Sequence, residues 1–303
     1  MNGTTTSAPT SRRWPTQGWI GLILIAVFWP LNWLLPGLRT HVLFFPLWLG
    51  YTLTVDGLVF LRKSTSLLTR SRAHFIGLFL VSAPAWWLFE LLNARALNWH
   101  YTGREQLTEL EYVVLASFSF STVIPAVFGT AELASTFLPR VRGPVIRPTR
   151  GTLTTFFVLG WVMLALLLIW PRYFFPFLWL SVYFILEPIN AALGLPALSQ
   201  WTKEGDWTPV AALWIGTGAC GFFWELWNFF SFPKWVYTVP FVNFLHIFEM
   251  PLLGYGGYLP FGLELYALYH LVTGLLRDAR RDYVRLNRGE PGGSPRLNRL
   301  LDE

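Results

Sequence analysis

Eight long apolar runs, none of which contains a lysine or an arginine, constrain the fold of this chain more than any other feature. A helix needs roughly 20 mainly apolar residues to cross the hydrocarbon of a bilayer. The runs that reach this length span residues 18–36, 41–61, 73–93, 112–137, 152–170, 173–194, 208–230 and 250–276. A composition with 53% hydrophobic and only 13% charged residues is also atypical of a soluble domain. The sequence therefore predicts an all-α, polytopic membrane protein with eight transmembrane helices.

The basic residues predict how these helices are oriented, because the cytoplasmic loops of membrane proteins are enriched in lysine and arginine. With the N-terminus inside, all but five of the 23 lysines and arginines fall on the cytoplasmic side. The five on the outer side are Arg39, Arg95, Arg104, Arg172 and Lys234. Both termini are therefore predicted to be cytoplasmic, in a protein integral to the cell (inner) membrane. The net charge of +6 fits this bias and an attraction to anionic lipid, whereas no soluble basic domain is predicted that would bind nucleic acid.

The two halves of the chain carry the same polar and aromatic pattern. Glu90 and Asn93 in the first half correspond to Glu225 and Asn228 in the second half. Further matched pairs follow at almost the same spacing, namely Trp99 with Trp235, Tyr101 with Tyr237, and Glu111 with Glu249. Four helices per copy is an even number, so the two copies insert with the same orientation and form a parallel repeat. The predicted units are a disordered cytoplasmic N-terminus (1–17), a first four-helix repeat (18–137), a cytoplasmic linker (138–151), a second four-helix repeat (152–276) and a basic cytoplasmic tail (277–303).

Carboxylates near the outer ends of the helices are the candidates for chemistry, because an ionisable residue inside a bilayer costs about 2.5–3.5 kcal/mol and usually has a function. Each Glu-x-x-Asn pair places its side chains at i and i+3, on one helical face. The predicted catalytic residues are Glu90, Glu225, Glu111, Glu249, Asn93 and Asn228. They are expected to form an outward-facing cup of acid and base groups. The alternative is structural, with these carboxylates paired to Arg95, Arg104 and Lys234 or bound to backbone N–H groups at helix starts.

Aromatic side chains and deeper acidic side chains are predicted to surround a substrate. The predicted substrate-binding residues are Trp87, Trp99, Tyr101, Trp224, Trp235, Tyr237, His246, Glu264, Asp56 and Glu187. Of the acids, Asp56, Glu187, Glu132 and Glu264 lie deeper along their helices, where a protonated carboxyl group in an aromatic pocket can act as a general acid. The alternative for each is a neutral carboxyl group that hydrogen-bonds to a neighbouring helix.

A metal site is a weaker interpretation of the same residues. His246 and Glu249 stand at i and i+3, and together with Glu225 and His100 they could bind a divalent metal. No His-x-x-x-His spacing supports this, and the glycines at 254, 256 and 257 are not followed by the Lys-Ser/Thr of a phosphate loop. No dinucleotide fingerprint or serine-nucleophile motif occurs either. No cofactor and no metal are therefore predicted.

The repeated motif resembles the repeated domain of the membrane-integral, non-flavin lycopene cyclases and related carotenoid-modifying membrane proteins. In that family an acidic residue ends one helix, a Trp-x-Phe/Tyr follows about ten residues later, and a glutamate starts the next helix. The first copy fits this pattern with Glu90, Trp99, Tyr101 and Glu111, and the second copy with Glu225, Trp235, Tyr237 and Glu249. The family's Pro-x-Glu-Glu is replaced by residues 108–111 and 248–251, and each half has an additional helix. The resemblance implies redox-neutral cyclisation or hydration of an isoprenoid.

Three classes of function follow from this sequence. The leading hypothesis is a membrane-embedded enzyme that uses carboxylate acid/base chemistry on an isoprenoid or polyene lipid. The rival hypothesis is a transporter or channel with a carboxylate-lined site between two parallel repeats. A polar path from the outer cup to Asp56 and Glu187 would favour the transporter, whereas a dry pocket that opens sideways to lipid would favour the enzyme. A non-catalytic scaffold is the third. The partner expected from the sequence is a membrane lipid or isoprenoid substrate, and the sequence leaves the oligomeric state open.

Overall fold

The computed structural model describes residues 13–276 and 283–287 of the chain, and this part is predominantly helical. The long helices are α1 (Thr16–Leu34), α2 (Arg39–Lys63), α4 (Arg72–Ala96), α5 (Glu109–Phe120), α6 (Val123–Ser135), α7 (Arg150–Ile169), α9 (Ser181–Ala192), α11 (Thr208–Phe229) and α12 (Tyr258–Leu275). Short helices are α3 (Leu67–Arg70), α8 (Pro171–Phe174) and α10 (Ser199–Thr202), with 3-10 turns at Arg104–Gln106, Phe175–Trp179 and Leu252–Gly257. Four short strands complete the fold: β1 (Trp99–Thr102), β2 (Lys234–Tyr237), β3 (His246–Ile247) and β4 (Met250–Pro251).

Within the described residues, seven helical segments are long and apolar enough to cross a membrane, by length and composition. They are Thr16–Leu34, Arg39–Lys63, Arg72–Ala96, Glu109–Ser135, Arg150–Ile169, Pro171–Ala192 and Thr208–Phe229. The prediction of an all-α membrane protein is therefore confirmed. The predicted count of eight is not matched, because α12 falls outside this set. Its helix has 18 residues and carries Glu264 and His270, and both of these side chains are buried by neighbouring helices rather than facing lipid.

The helix bundle has two distinct ends. At one end, which we call the ribbon end, β1 and β2 pair with each other after α4 and α11. At the opposite end, which we call the tail end, Gln17 at the start of α1 donates a hydrogen bond to Asp56 (3.4 Å). Residues 283–287 pack at the same end, where the Tyr283 hydroxyl donates to the Leu67 carbonyl (2.8 Å). The start of α1 and the segment that follows α12 therefore lie at one end of the molecule.

The predicted disordered N-terminus (1–17) and basic tail (277–303) lie largely outside the described residues, which exclude 1–12, 277–282 and 288–303. The end of the predicted disordered segment is helical, since α1 begins at Thr16. Residues 283–287 are the described part of the tail. Tyr283, Val284 and Leu286 are buried against the tail end of the first half. Burial of three apolar side chains supplies the packing that a solvent-exposed tail lacks.

Equivalent contacts recur in the two halves. A β-carbon added at Gly21 in α1 would lie 2.5 Å from the Thr54 nitrogen, and one added at Gly160 in α7 would lie 2.8 Å from the Ile185 nitrogen. Both pairs of helices approach closely because a glycine occupies the crossing point, as small residues commonly do between membrane helices. The crossing of α1 with α2 thus has a counterpart in the crossing of α7 with α9.

The halves meet closely where α11 crosses α6. A β-carbon at Gly216 would lie 2.6 Å from the Ala131 nitrogen, whereas one at Gly218 would meet nothing within 4 Å. We expect Gly216→Ala to lower the free energy of unfolding by about 1–3 kcal/mol, because the backbones must separate. Gly218→Ala in the same helix is the matched control, and it is expected to stabilise the helix by about 0.5–1 kcal/mol. Unfolding midpoints measured in mild detergent test this, and equal midpoints for the two variants would contradict the close crossing.

Candidate functional site

A two-stranded antiparallel ribbon at the ribbon end joins the two halves. Trp99 pairs with Tyr237, and Tyr101 pairs with Trp235. Since alternate residues of a strand point to the same face, these four aromatic side chains share one face of the ribbon. The pairing is reciprocal: each tryptophan lies opposite the tyrosine that belongs to the other copy of the motif. A two-fold axis through the ribbon produces this register.

Asparagine side chains fix the start of each strand. The Asn93 amide donates to the Trp99 carbonyl (2.7 Å), and the Asn228 amide donates to the Trp235 carbonyl (2.7 Å). The Asn228 side-chain oxygen also accepts from the Trp235 backbone N–H (2.9 Å), and the Asn93 oxygen accepts from that of Trp99 (3.3 Å). The two predicted catalytic asparagines thus hold the ribbon in place rather than standing free for chemistry.

Glu90 lies beneath the ribbon and accepts three hydrogen bonds on one oxygen. Its Oε1 accepts from the Tyr101 hydroxyl (2.6 Å), the Trp99 indole N–H (3.0 Å) and the Trp86 indole N–H (2.9 Å). Three donors on one carboxylate oxygen stabilise negative charge at that oxygen. Glu90 is only partly buried.

Glu225 occupies the equivalent place in the second half, in a different shell. Its Oε1 accepts from the Tyr237 hydroxyl (2.7 Å) and from the Tyr258 hydroxyl (2.7 Å), and the residue is fully buried. Within the described part of the chain, its Oε2 is buried and has no hydrogen-bond partner. One oxygen of this carboxyl group is therefore held by tyrosines, while the other is buried without a partner.

The two shells differ in two ways. The Trp235 indole donates to the Tyr237 hydroxyl (2.9 Å), whereas the matched Trp99 indole donates to Glu90, and a glycine replaces a tryptophan. Gly221 stands one helical turn before Glu225, at the position that Trp86 holds relative to Glu90. A β-carbon at Gly221 would lie 2.5 Å from the Tyr258 ring. Glycine therefore makes room for Tyr258 to reach Glu225. Sequence reasoning missed Tyr258, although its alignment with the aromatic Phe120 in the first half was a usable signal.

Aromatic rings wall the region between the two carboxyl groups. The Trp224 ring lies 5.2 Å from the ring of Trp48 and 5.9 Å from the ring of Tyr258. On the side of the first copy, Trp179 stacks on Trp99 with ring centroids 5.7 Å apart. Among the described residues no hydrogen bond joins Glu90 directly to Glu225. The expected single cup is thus two carboxyl–tyrosine sites under one ribbon.

The ribbon tyrosines are held in their protonated form. Burial raises the pKa of Tyr101 and of Tyr237 well above the ordinary value, and the neighbouring Glu90 and Glu225 carboxyl groups raise it further. Both hydroxyl groups therefore remain hydrogen-bond donors to the carboxyl groups.

Two of the predicted catalytic glutamates do not join these sites. Glu111 is exposed and forms a capping box with Thr108, accepting from the Thr108 backbone N–H (2.9 Å) and hydroxyl (2.7 Å). Glu249 is ion-paired with Lys234. These arrangements match the structural alternative, in which carboxylates satisfy helix starts and nearby cations.

Two predicted substrate-binding side chains also lie elsewhere. The Trp87 indole donates to the Ser117 hydroxyl (2.9 Å) and packs on Phe120, in a small cluster against which the Glu90 donors Trp86 and Tyr101 also pack. His246 is exposed and its side chain contacts Asn243 (3.1 Å).

Two deeper acids anchor tail-end loops. Asp56 accepts from the Leu68 backbone N–H (3.0 Å) and from the Ser66 hydroxyl (2.7 Å). Glu187 accepts from the Ser199 backbone N–H (2.7 Å), at the same spacing of 12 residues. Each acid holds the loop that follows its own helix, which is a structural role.

Glu132 in α6 and Glu264 in α12 are both fully buried. Glu132 is ion-paired with Arg70 and accepts from the Arg285 backbone N–H (2.6 Å). For Glu264, neither carboxyl oxygen has a hydrogen-bond partner among the described residues. The Tyr183 and Val182 backbone groups at the start of α9 nevertheless lie beside this carboxyl group, so Glu264 is placed in a contact between α12 and α9.

No group of three or more His, Cys, Asp or Glu side chains placed to hold a metal ion occurs in residues 13–276 and 283–287. His246 and His100 are both exposed and lie on separate strands, so the set considered for a metal from the sequence does not assemble around Glu225. Comparison with protein-family models, with curated proteins and with solved structures finds no match to this chain.

Proposed function

We propose that the chain consists of two parallel four-helix repeats, with α12 as an eighth crossing and both termini cytoplasmic. The reciprocal β1–β2 register and the matched Asn93 and Asn228 contacts support the duplication. The start of α1 and residues 283–287 lie together at the tail end, which supports an even number of crossings. The excess of lysine and arginine in the tail-end loops makes that end cytoplasmic.

We further propose that the protein is a membrane-embedded enzyme that performs acid/base chemistry on an isoprenoid or polyene lipid. The observation that carries this proposal is Glu225: Tyr237 and Tyr258 hold one carboxyl oxygen, and the other is buried without a partner. A positioned carboxyl group with one free oxygen is suited to transfer a proton to a bound group. The surrounding aromatic rings are suited to an apolar substrate.

The proposed reaction begins when the Glu225 carboxyl group gives its proton to a carbon–carbon double bond. A new C–H bond forms, and the π-electron pair leaves a cation on the adjacent carbon. The faces of Trp224 and Trp48 stabilise this cation, by about 0.5–2 kcal/mol for each ring. Attack by a second double bond, followed by proton return to the Glu225 carboxylate, completes a cyclisation. Capture by water with loss of a proton completes a hydration.

The resemblance to lycopene cyclases supports the same substrate class, since it rests on Glu225, Trp235 and Tyr237. A polar path lined by Asp56 and Glu187 would favour the transporter hypothesis. Their use as loop anchors at the tail end removes that support. The enzyme is thus the better-supported function.

Expression of the full chain in a bacterial host that accumulates acyclic polyenes tests this function. We expect a new product of unchanged mass for cyclisation, or one heavier by a water molecule for hydration, detected by mass spectrometry of extracted lipids. A host carrying the empty vector is the control. An unchanged lipid profile at a verified protein level, with acyclic polyenes of several chain lengths, would overturn the proposal.

A further inference from the structure

The segment 238–257 at the ribbon end exposes an unusual amount of apolar surface for a loop. We call it the apolar loop; it connects β2 to α12 and contains β3 and β4. Its large exposed hydrophobic side chains are Phe241, Phe244, Leu245, Ile247, Leu252 and Leu253. Leu245 is 70% exposed and Phe241 61% exposed. Contiguous apolar side chains of this kind on a protein surface mark an interaction site.

The apolar loop lacks the charged side chains that are typical of a water-facing surface. The loop contains no lysine or arginine, and its one acidic residue, Glu249, is ion-paired with Lys234. The corresponding segment of the first half, residues 102–111, carries Arg104, Glu105, Glu109 and Glu111 in the same sequence position. One half therefore presents a charged loop at the ribbon end, and the other half presents an apolar loop.

The apolar loop is continuous with the sides of the membrane-spanning helices. Phe248 packs against Phe222 and Phe229 of α11, at ring centroid distances of 5.8 Å and 5.6 Å. Phe241 stacks on Tyr173, which is itself exposed beside α7 (5.9 Å). The exposed surface of the loop thus adjoins the apolar surface of α11 and α8. One charged side chain lies at this junction, Arg172 of α8, whose guanidinium is 5.6 Å from the Phe241 ring; a long arginine side chain can keep its charge at the membrane surface while its stem lies along apolar side chains.

The backbone of the apolar loop holds bulky residues in an unfavourable conformation. Phe241, Leu245 and Phe248 have φ values of 64°, 51° and 58°. A left-handed conformation is unfavourable for a residue with a β-carbon, because the β-carbon approaches the following carbonyl oxygen. In water, exposure of Phe241 and Leu245 would add to this cost, whereas burial of these side chains in lipid would offset it.

We propose that the apolar loop is a lipid-docking surface, immersed in the leaflet of the membrane at the ribbon end. Its occupant is the bilayer in which the helices already lie, because the loop is continuous with their lipid-facing surface and carries no free charge. The apolar side chains enter the boundary between head groups and acyl chains, as those of interfacial amphipathic segments do. The loop of the first half, with its charged side chains, stays in water.

The loop also leads to the candidate site. The Tyr255 hydroxyl donates to the Ile247 carbonyl (3.0 Å), and the Tyr255 ring lies 5.9 Å from that of Tyr258, which binds Glu225. Tyr255 and Tyr258 therefore form a continuous set of contacts from the apolar loop to Glu225. A role of the loop in substrate access depends on the function proposed above, whereas its immersion in lipid does not, and the experiment below tests immersion alone.

A dye attached at a single cysteine tests the proposal in the full chain, reconstituted into lipid nanodiscs that leave both membrane surfaces open to solvent. The buried native thiol is removed with Cys220→Ala, and an environment-sensitive nitrobenzoxadiazole dye is attached at Leu245→Cys or, in a second variant, Leu253→Cys. Glu105→Cys in the first half is the matched control, since it is exposed at the same end. Quenching is measured with aqueous iodide and with lipid that bears a nitroxide near the carbonyl end of its acyl chain.

We expect the dye at 245 and at 253 to emit at shorter wavelength than the dye at 105, and to lose roughly half or more of its emission to the nitroxide lipid. Iodide should quench the dye at 105 and leave the other two nearly unchanged. Equal iodide quenching at all three positions would overturn the proposal in favour of a water-facing loop. Protection from both quenchers would overturn it in favour of contact with a second protein molecule.

Discussion

Arg70→Ala is expected to lower the free energy of unfolding by about 3–5 kcal/mol, because it leaves the Glu132 carboxylate buried without its ionic partner. The side chain of Glu132 is fully buried and that of Arg70 is 8% exposed. Water therefore cannot solvate the charge that remains when one partner of the ion pair is removed. The same carboxyl group accepts the Arg285 backbone N–H, and the Arg70 guanidinium lies 5.5 Å from the Tyr283 ring. Loss of Arg70 should therefore also release residues 283–287 from the tail end.

Unfolding in mild detergent and protease sensitivity near residue 283 are the two measurements for this prediction. The double variant Arg70→Met with Glu132→Leu should recover most of the stability, since no unpaired charge remains. Arg104→Ala breaks the exposed pair with Glu109 and should cost only about 0–1 kcal/mol. If Arg70→Ala destabilises no more than Arg104→Ala, the buried ion pair does not hold the tail end together.

The membrane-spanning character of the helices and the importance of the two Glu-x-x-Asn pairs could be predicted from the sequence because each rests on a local signal, whereas the predicted count of eight spans was not matched. Apolar length identifies the membrane helices, and the two Glu-x-x-Asn pairs lead directly to Glu90 and Glu225 beneath the ribbon. A local sequence pattern also indicates the structural function of Glu111. Thr108-x-x-Glu111 has the form of a capping box, and that structural function explains its place at the start of α5.

Other features depend on contacts between distant parts of the chain. The pairing of β1 with β2 joins residues 132 or more positions apart in sequence, so four residues on each side give no local sign of it. The place of Tyr258 depends on the absence of a side chain at Gly221, which is decided by packing between α11 and α12. α12 can carry the polar side chains of Glu264 and His270 because neighbouring helices cover both of them. It is therefore less apolar than a helix that faces lipid on all sides.

Glu225→Gln is expected to reduce product formation by about 10²–10⁴-fold, because the amide keeps the size of the side chain but cannot transfer a proton as a carboxyl group does. The Tyr237 and Tyr258 hydroxyls can still donate to the amide oxygen, so the variant should insert and purify as the wild type does. Product is measured by mass spectrometry in the polyene-accumulating host, at matched protein levels.

Three further variants separate proton transfer at Glu225 from a general effect of removing a carboxylate at the ribbon end. Glu111→Gln makes the same chemical change in an exposed capping box and should leave product formation near that of the wild type. Tyr258→Phe removes one of the two donors to Oε1 and should give an intermediate loss, since Tyr237 still positions the carboxyl group. Because Glu90 has three donors and a different shell, Glu90→Gln should impair the reaction less than Glu225→Gln. Full activity of Glu225→Gln would rule out the carboxyl group as the acid and reduce Glu225 to a structural partner of the ribbon.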